Sequence, residues 1–351
     1  MNRVRIFLVV FFISTSFIGV SYTAHKKVQS AVTYELTTGR LGNKLLLYSG
    51  AKYFSWKHQI PLLYKEFKYS DQFKLHETSV VYKSDITSQF TKVKKLSKFK
   101  KDSIKSQSIL YVNDMMEGEF VDWDNQEFIA ELRREISPRF ASNLAIDLPS
   151  DSITVAVHVR RGGNYDDMYQ TFDEDQSSNA LPTRYFADRK FPLKFPNDDY
   201  YIEQIKTIAQ ICPDQKIFVF IFTDDLHPDK IIEKYNKIIN NPLITYRCRS
   251  GKVDENTNVI DDFFAMGSFD CLIRSDSTYS VMIDYLREYA LVFYPKSYYW
   301  KETVDNNNNE SFKLVIDSVG MTVRKNKLPV LDKNFSSVSA QLLTKYTVVE
   351  K

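Results

Sequence analysis

The sequence predicts an α/β protein made of two doubly wound units facing a cleft, and three observations carry that expectation. Short apolar runs alternate with longer helical segments along most of the chain, the pattern of strands joined by crossover helices into a parallel sheet. The runs SITVAVHV (152–159) and KIFVFIF (216–222) are apolar nearly throughout, as strands covered on both faces must be. At 351 residues the chain exceeds one domain of roughly 150 residues, and 43% hydrophobic residues with 22 Tyr and 25 Phe are enough to fill a large core.

The elements follow in order. Arg3 and Arg5 precede IFLVVFFISTSFIGVSY (6–22), apolar enough for a signal peptide or a short membrane anchor. Tyr22-Thr23-Ala24 is a poor cleavage site and Lys26 and Lys27 follow at once, which favours an anchor retained over residues 1–28. Either form places the remaining chain in a secretory lumen or outside the cytosol. The acceptor sequons Asn309-Glu310-Ser311 and Asn334-Phe335-Ser336 are compatible with that.

Residues 29–150 form the first unit. AVTYEL (31–36) reads as a strand, TTGRLG (37–42) as a turn, 43–58 as a helix, IPLLY (60–64) and SILYV (108–112) as strands, and 125–136 as an amphipathic helix. TKVKKLSKFKKDSIK (91–105) carries Val93, Leu96 and Phe99 at three-residue spacing, which predicts a helix with a lysine face. Pro138 and DLPSD (147–151) mark a boundary near 150. The second unit, 151–325, has strands at 152–159, 216–222, 243–247 and 290–294. Its helices are expected at about 198–211, 228–240, 260–270 and 277–288. NNNNE (306–310) reads as a loop, and 326–351 as a weakly structured extension or a return helix.

A formal charge of +3, from 47 basic and 44 acidic residues, gives no case for a nucleic-acid partner. Three cysteines, Cys212, Cys248 and Cys271, allow at most one intrachain disulfide and show no zinc spacing.

Chemistry concentrates at strand ends. HVRRGGNYDD (158–167) closes the strand SITVAVHV, placing Arg160 and Arg161 where α/β sheets hold ligands. Along an extended chain His158 and Arg160 share one face and Arg161 takes the other, so the two guanidiniums meet different partners. The arginine fork suits phosphate, and pairing with Asp166 and Asp167 is the purely structural alternative. GRLGNKL (39–45) sits between a strand and a helix, where amides at the helix start meet an anion or a sugar hydroxyl, or where Gly39 and Gly42 simply make a tight turn. It matches neither a phosphate-binding NTPase loop nor a dinucleotide loop. FTDDLHPDK (222–230) sets Asp224 and Asp225 at the same strand-end level. Asp276-Ser277-Thr278 opens another helix with hydroxyls suited to capping or to phosphate.

Taken together, GRLGNKLLLYSGAKYF, HVRRGGNYD, FIFTDD, DDFFAMGSFDCLIRSDSTYS and VFYPKSYYW resemble, in order, the motifs of the α-1,2-fucosyltransferase family and related enzymes that use GDP-fucose. The resemblance spans roughly residues 36–300. It implies a GT-B architecture of two Rossmann-like domains, 29–150 on the acceptor side and 151–325 binding the GDP-sugar. It also implies transfer of fucose to a glycan hydroxyl with inversion and no metal. Position by position, His158, Arg160 and Arg161 fall in the donor site, with Arg160 the diphosphate ligand. Asp224, Ser277 and Thr278 fall on guanosine or phosphate, and Gly39, Gly42 and Asn43 shape the cleft.

The chain also departs from that family. Arg161-Gly162-Gly163-Asn164-Tyr165 lacks the aspartate of R-R-G-D-Y, for which Asp166 is the nearest substitute as a catalytic carboxylate. Lys44 replaces a glutamine, Val281-Met282 stand where tryptophans are usual, and 166–201 is an insertion. Two other readings remain open. One is a metal-dependent glycosyltransferase using Asp122-Trp123-Asp124 or Asp173-Glu174-Asp175; the other is a glycan-binding relative without catalysis.

Overall fold

The computed structural model describes residues 30–36, 39–75, 80–81, 88–100, 108–114, 121–140, 146–161, 191–225, 227–249, 255–304, 310–327 and 345–351. Among these residues the fold is mixed α/β with two parallel-based sheets.

The first sheet has the order β1-β5-β4, formed by β1 (Ser30–Tyr34), β5 (Ile109–Asn113) and β4 (Lys92–Lys95), all parallel. A separate parallel pair joins β2 (Leu63–Tyr64) to β3 (Val80–Val81), and a bridge from Val32 to Leu62 ties that pair to β1. Helix α1 (Leu41–His58) follows β1, and α2 (Gln126–Glu135) closes the unit. The anticipated strand–turn–helix–strand start is present. Helix α1 buries Leu45, Leu46, Leu47, Tyr48, Ala51, Tyr53 and Phe54 around most of its circumference, as a helix enclosed by other elements must. The one lysine it buries, Lys52, is neutralised by Glu131 at 2.8 Å and Glu135 at 2.7 Å, and Tyr48 donates to Glu135 at 2.6 Å.

The lysine-rich segment is not the predicted helix. Lys92–Lys95 pair with Ile109–Val112 as the edge strand of the sheet, and Leu96–Lys98 form a single 3-10 turn. Backbone pairing to β5 outweighs the helical spacing. Leu96 is buried and Phe99 packs edge-on to Phe54 at 4.9 Å, while Val93 is 67% exposed. Lysines on such an edge discourage pairing with another chain.

The second sheet has seven strands in the order β12-β11-β10-β9-β6-β7-β8. They are β6 (Ser152–Val159), β7 (Lys216–Thr223), β8 (Ile244–Cys248), β9 (Cys271–Ile273), β10 (Leu291–Val304), β11 (Glu310–Val323) and β12 (Tyr346–Glu350). Strands β8, β7, β6, β9 and β10 are mutually parallel; β11 is antiparallel to β10 and pairs in parallel with β12. Helices are α3 (Asp198–Ile211), α4 (Pro228–Ile239), α5 (Glu255–Met266) and α6 (Thr278–Leu286). Pro228 starts α4 as expected, whereas Asp225 caps locally by accepting from the amide of His227 at 2.8 Å.

Two differences concern the end of the chain. Strand β10 extends ten residues beyond the predicted 294, β11 adds a strand where no element was expected, and β12 adds another inside the extension expected at 326–351, so the sheet gains an antiparallel edge. The strand-forming residues here, KLVIDSVGMTV, mix lysine, aspartate, serine and glycine with apolar residues and carry a weaker signal than the fully apolar central strands.

One face of the second sheet, with Val155, Val157 and Val159, packs under α3 and α4. The other face, with Ala156, Phe218, Phe220 and Phe222, shares a continuous core with α1, α2, α5 and α6. The sheets are joined by Trp123 stacked on Tyr285 at 4.1 Å and by Arg133, whose Nε donates to the carbonyl of Leu286 at 2.8 Å. All three cysteines are free. Among the described residues no helix is long and apolar enough to cross a membrane; the 6–22 segment lies outside them.

Candidate active site

Strands β9, β6 and β7 lie side by side in parallel, with Val157 opposite Ile273 and Val159 opposite Thr223. Their carboxyl ends therefore bring Arg160, Asp224 and Arg274 to one edge. Alternation places His158 and Arg160 on the Ala156 face, toward the first sheet, and Arg161 on the α3–α4 face.

The two arginines do have different partners. Arg160 Nη1 meets Asp224 Oδ2 at 2.7 Å, and Asp224 Oδ1 accepts the amide of Arg161 at 2.6 Å, so a single carboxylate aligns both the side chain and the backbone of the turn. Arg161 instead pairs with Asp198 in the first turn of α3 and lies 4.0 Å from Asp225. Asp198 also accepts from Lys234 at 2.5 Å and Tyr235 at 2.8 Å on α4. Burial opposes ionisation of Asp198, but Arg161 and these donors hold its carboxyl below the usual range. Arg161 thus joins β6 to α3 and α4, while Arg160 stands on the face shared with the first sheet.

His158 is buried, with Nδ1 3.4 Å from the Ser275 hydroxyl and its ring 5.6 Å from Tyr279. Burial pushes it down to about 4; Asp224 opposes this and Arg274 adds to it. The imidazole is neutral at pH 7.

The glycine turn and the serine-threonine segment meet. Gly39 has φ +133°, a conformation that glycine tolerates, and a Cβ there would lie 2.5 Å from the Asn43 side-chain nitrogen. Gly42 has a different reason: it is helical, and a Cβ would lie 2.4 Å from the backbone nitrogen of Tyr279. It is not the positive-φ turn residue considered from sequence. The first turn of α1 therefore rests directly on the first turn of α6. Neither start has a side-chain cap hydrogen bond, Arg40 and Ser277 occupying the cap positions, so the positive ends of two helix dipoles meet there, and Arg160 lies close enough to act electrostatically on Tyr279 in the first turn of α6. Thr278 opens α6, and Ser277 is buried.

Several groups were not singled out in the sequence. Arg274 is buried in the turn after β9, and its isolated charge just past the apolar CLI was the available signal. Asp198 carried only an ordinary helix-start signal. Arg249, at the end of β8, donates through Nε to Asp262 on α5 at 3.2 Å. Burial pushes the Asp262 carboxyl up to about 6 against the opposing charge of Arg249. Tyr279, between this pair and His158, donates to the Val259 carbonyl at 2.5 Å.

Asp166 lies outside the described residues, as do Asp167, Asp173, Asp175 and both sequon asparagines. Asp122 and Asp124 sit on the turn before α2: Asp122 accepts the Asp124 amide at 3.2 Å, and Asp124 pairs with Lys351.

No protein-family profile and no curated protein sequence matches the chain. Solved structures similar to it include POFUT1 in complex with GDP-fucose, at 14% identity over 76% of this chain and 96% of that one, with a TM-score of 0.41. A mutant of Arabidopsis thaliana FUT1 in complex with GDP is 10% identical over 75% and 69%, with a TM-score of 0.45. The fucosyltransferase NodZ from Bradyrhizobium is 11% identical over 82% and 98%, with a TM-score of 0.41.

Proposed function

We propose that the protein is a glycosyltransferase that moves fucose from GDP-fucose to a hydroxyl of a glycan acceptor, with inversion. The α-1,2 linkage is the one its motifs resemble. The observation that carries the reading is the position of Arg160: at the carboxyl end of a central parallel strand, aligned by Asp224, beside the converging starts of α1 and α6. Arg160, Ser277, Thr278 and the helix amides bind the diphosphate. Arg161 and Asp224 hold that arrangement in place, and Gly39, Gly42 and Asn43 set the wall opposite.

Departure of GDP builds negative charge on the β-phosphate. An arginine about 4 Å away in a medium of effective dielectric 20 stabilises that charge by roughly 4 kcal/mol, about a thousandfold in rate if the gain arises in the transition state. A fixed guanidinium thus supplies the positive charge that a divalent metal supplies in other transferases. His158, neutral at pH 7, serves by hydrogen bonding and not as a second cation. The acceptor hydroxyl must also lose a proton, for which Asp166 is our candidate from sequence. The apolar 6–22 segment would anchor the catalytic region in a secretory lumen.

The test is release of GDP from GDP-fucose across a panel of glycans, with and without EDTA. Acceptor-dependent release that survives EDTA is the expected outcome. Release that EDTA abolishes favours the metal-dependent alternative, and no release with any acceptor favours the glycan-binding one.

A further inference from the structure

We propose that Arg274 is a positioning residue that holds the turn between β9 and α6, Ser275–Thr278, in the shape that receives the donor's phosphates; this rests on the GDP-fucose reading above. Arg274 is 6% exposed, and its guanidinium makes three kinds of contact at once. Nε donates to Asp284 Oδ2 on α6 at 2.9 Å, Nη1 donates to the Ser275 carbonyl at 3.3 Å, and the guanidinium carbon lies 4.8 Å from the centre of the Tyr294 ring on β10. A planar fork can bind a carboxylate and a carbonyl while stacking on a ring, whereas a lysine ammonium cannot do all three.

The rest of the turn is held from every side. The Arg274 amide donates to the Phe293 carbonyl at 3.0 Å, and its own carbonyl accepts from Tyr200 on α3 at 2.8 Å. The Asp276 amide donates to the Leu193 carbonyl at 2.9 Å, and the Ser280 hydroxyl bridges the carbonyls of Ser275 and Ser277 at 3.2 and 3.1 Å. Arg274 is the one charged side chain in this set that reaches both the turn and the body of α6. Its outcome is an α6 start without a side-chain cap, presented next to the start of α1, with the Ser275 hydroxyl turned to His158.

The experiment compares calorimetric binding of GDP and of guanosine to the full-length wild type, to Arg274→Lys, and to the double variant Arg274→Met with Asp284→Leu, in which no charge is left buried alone. In the double variant GDP affinity should fall about tenfold or more, as expected for loss of hydrogen bonds to a charged group, with guanosine affinity held within about twofold. Arg274→Lys should recover part of the loss. Equal losses for GDP and guanosine, or unchanged GDP affinity in a folded double variant, would overturn the role of Arg274 and leave the donor site standing. A wild type that binds neither ligand would remove the donor reading and this proposal with it.

Discussion

Asp224 divides the work of two adjacent arginines. By accepting the Arg161 amide and pairing with Arg160, it lets one guanidinium turn toward the first sheet while the other is fixed to Asp198. That division was legible from alternation along β6, but the partners were not, because Asp198 and Asp224 lie 37 and 63 residues from Arg161. His158 makes the same point through its ionisation. Asp224 just after β7, Arg274 from the turn after β9 and Tyr279 from α6 surround it. The ring takes a proton near pH 6.5 when unfolded and only near 4 when folded, so the unfolded chain binds the extra proton between those values. Its contribution to stability is full above pH 6.5 and is lost as pH falls toward 4, by roughly 3 kcal/mol. Asp262 acts in the opposite sense, since its carboxyl is raised from 3.8 to about 6 and the fold holds its proton in between. Urea denaturation of His158→Gln should therefore show a smaller loss of stability than the wild type between pH 7 and 4.5. Parallel curves would contradict the assigned state of the ring.

At the scale of elements, the contact between α1 and α6 is what builds the candidate site. Gly42 permits it, and Gly42→Ala would set a methyl group 2.4 Å from the Tyr279 nitrogen, where backbone has no rotamer by which to yield. The variant should lose about 1–3 kcal/mol, read as a lower denaturation midpoint, with weaker GDP binding because the two helix starts move apart. A variant as stable and as tight as the wild type would show that the helices do not need this approach. The long elements were legible wherever burial is two-sided: β6 was expected and found at 152–159, α3 at 198–211, and β7 one residue longer than expected. Lys92–Lys95 and β11 were not. There, pairing to a neighbouring strand decides the conformation, and a local spacing cannot report a partner strand elsewhere in the chain.

Across the whole molecule, the sequence showed the alternation of strands and helices and the strand-end edge that carries Arg160 and Arg161, but not that the two sheets share a core. That core joins Phe73 from the first unit to Phe263 and Phe264 on α5, and Trp123 to Tyr285 on α6. Such contacts link residues more than a hundred positions apart and leave no periodic trace. They fix α1 against α6, and with it the geometry around Arg160. The most direct test of the account is turnover of GDP-fucose by Arg160→Ala beside the wild type, with a thermal melt of each. Transfer should fall by about a thousandfold while the protein still unfolds cooperatively, at a lower melting temperature because Asp224 loses the guanidinium it pairs with. A folded Arg160→Ala protein that turns over at a near-normal rate would contradict it.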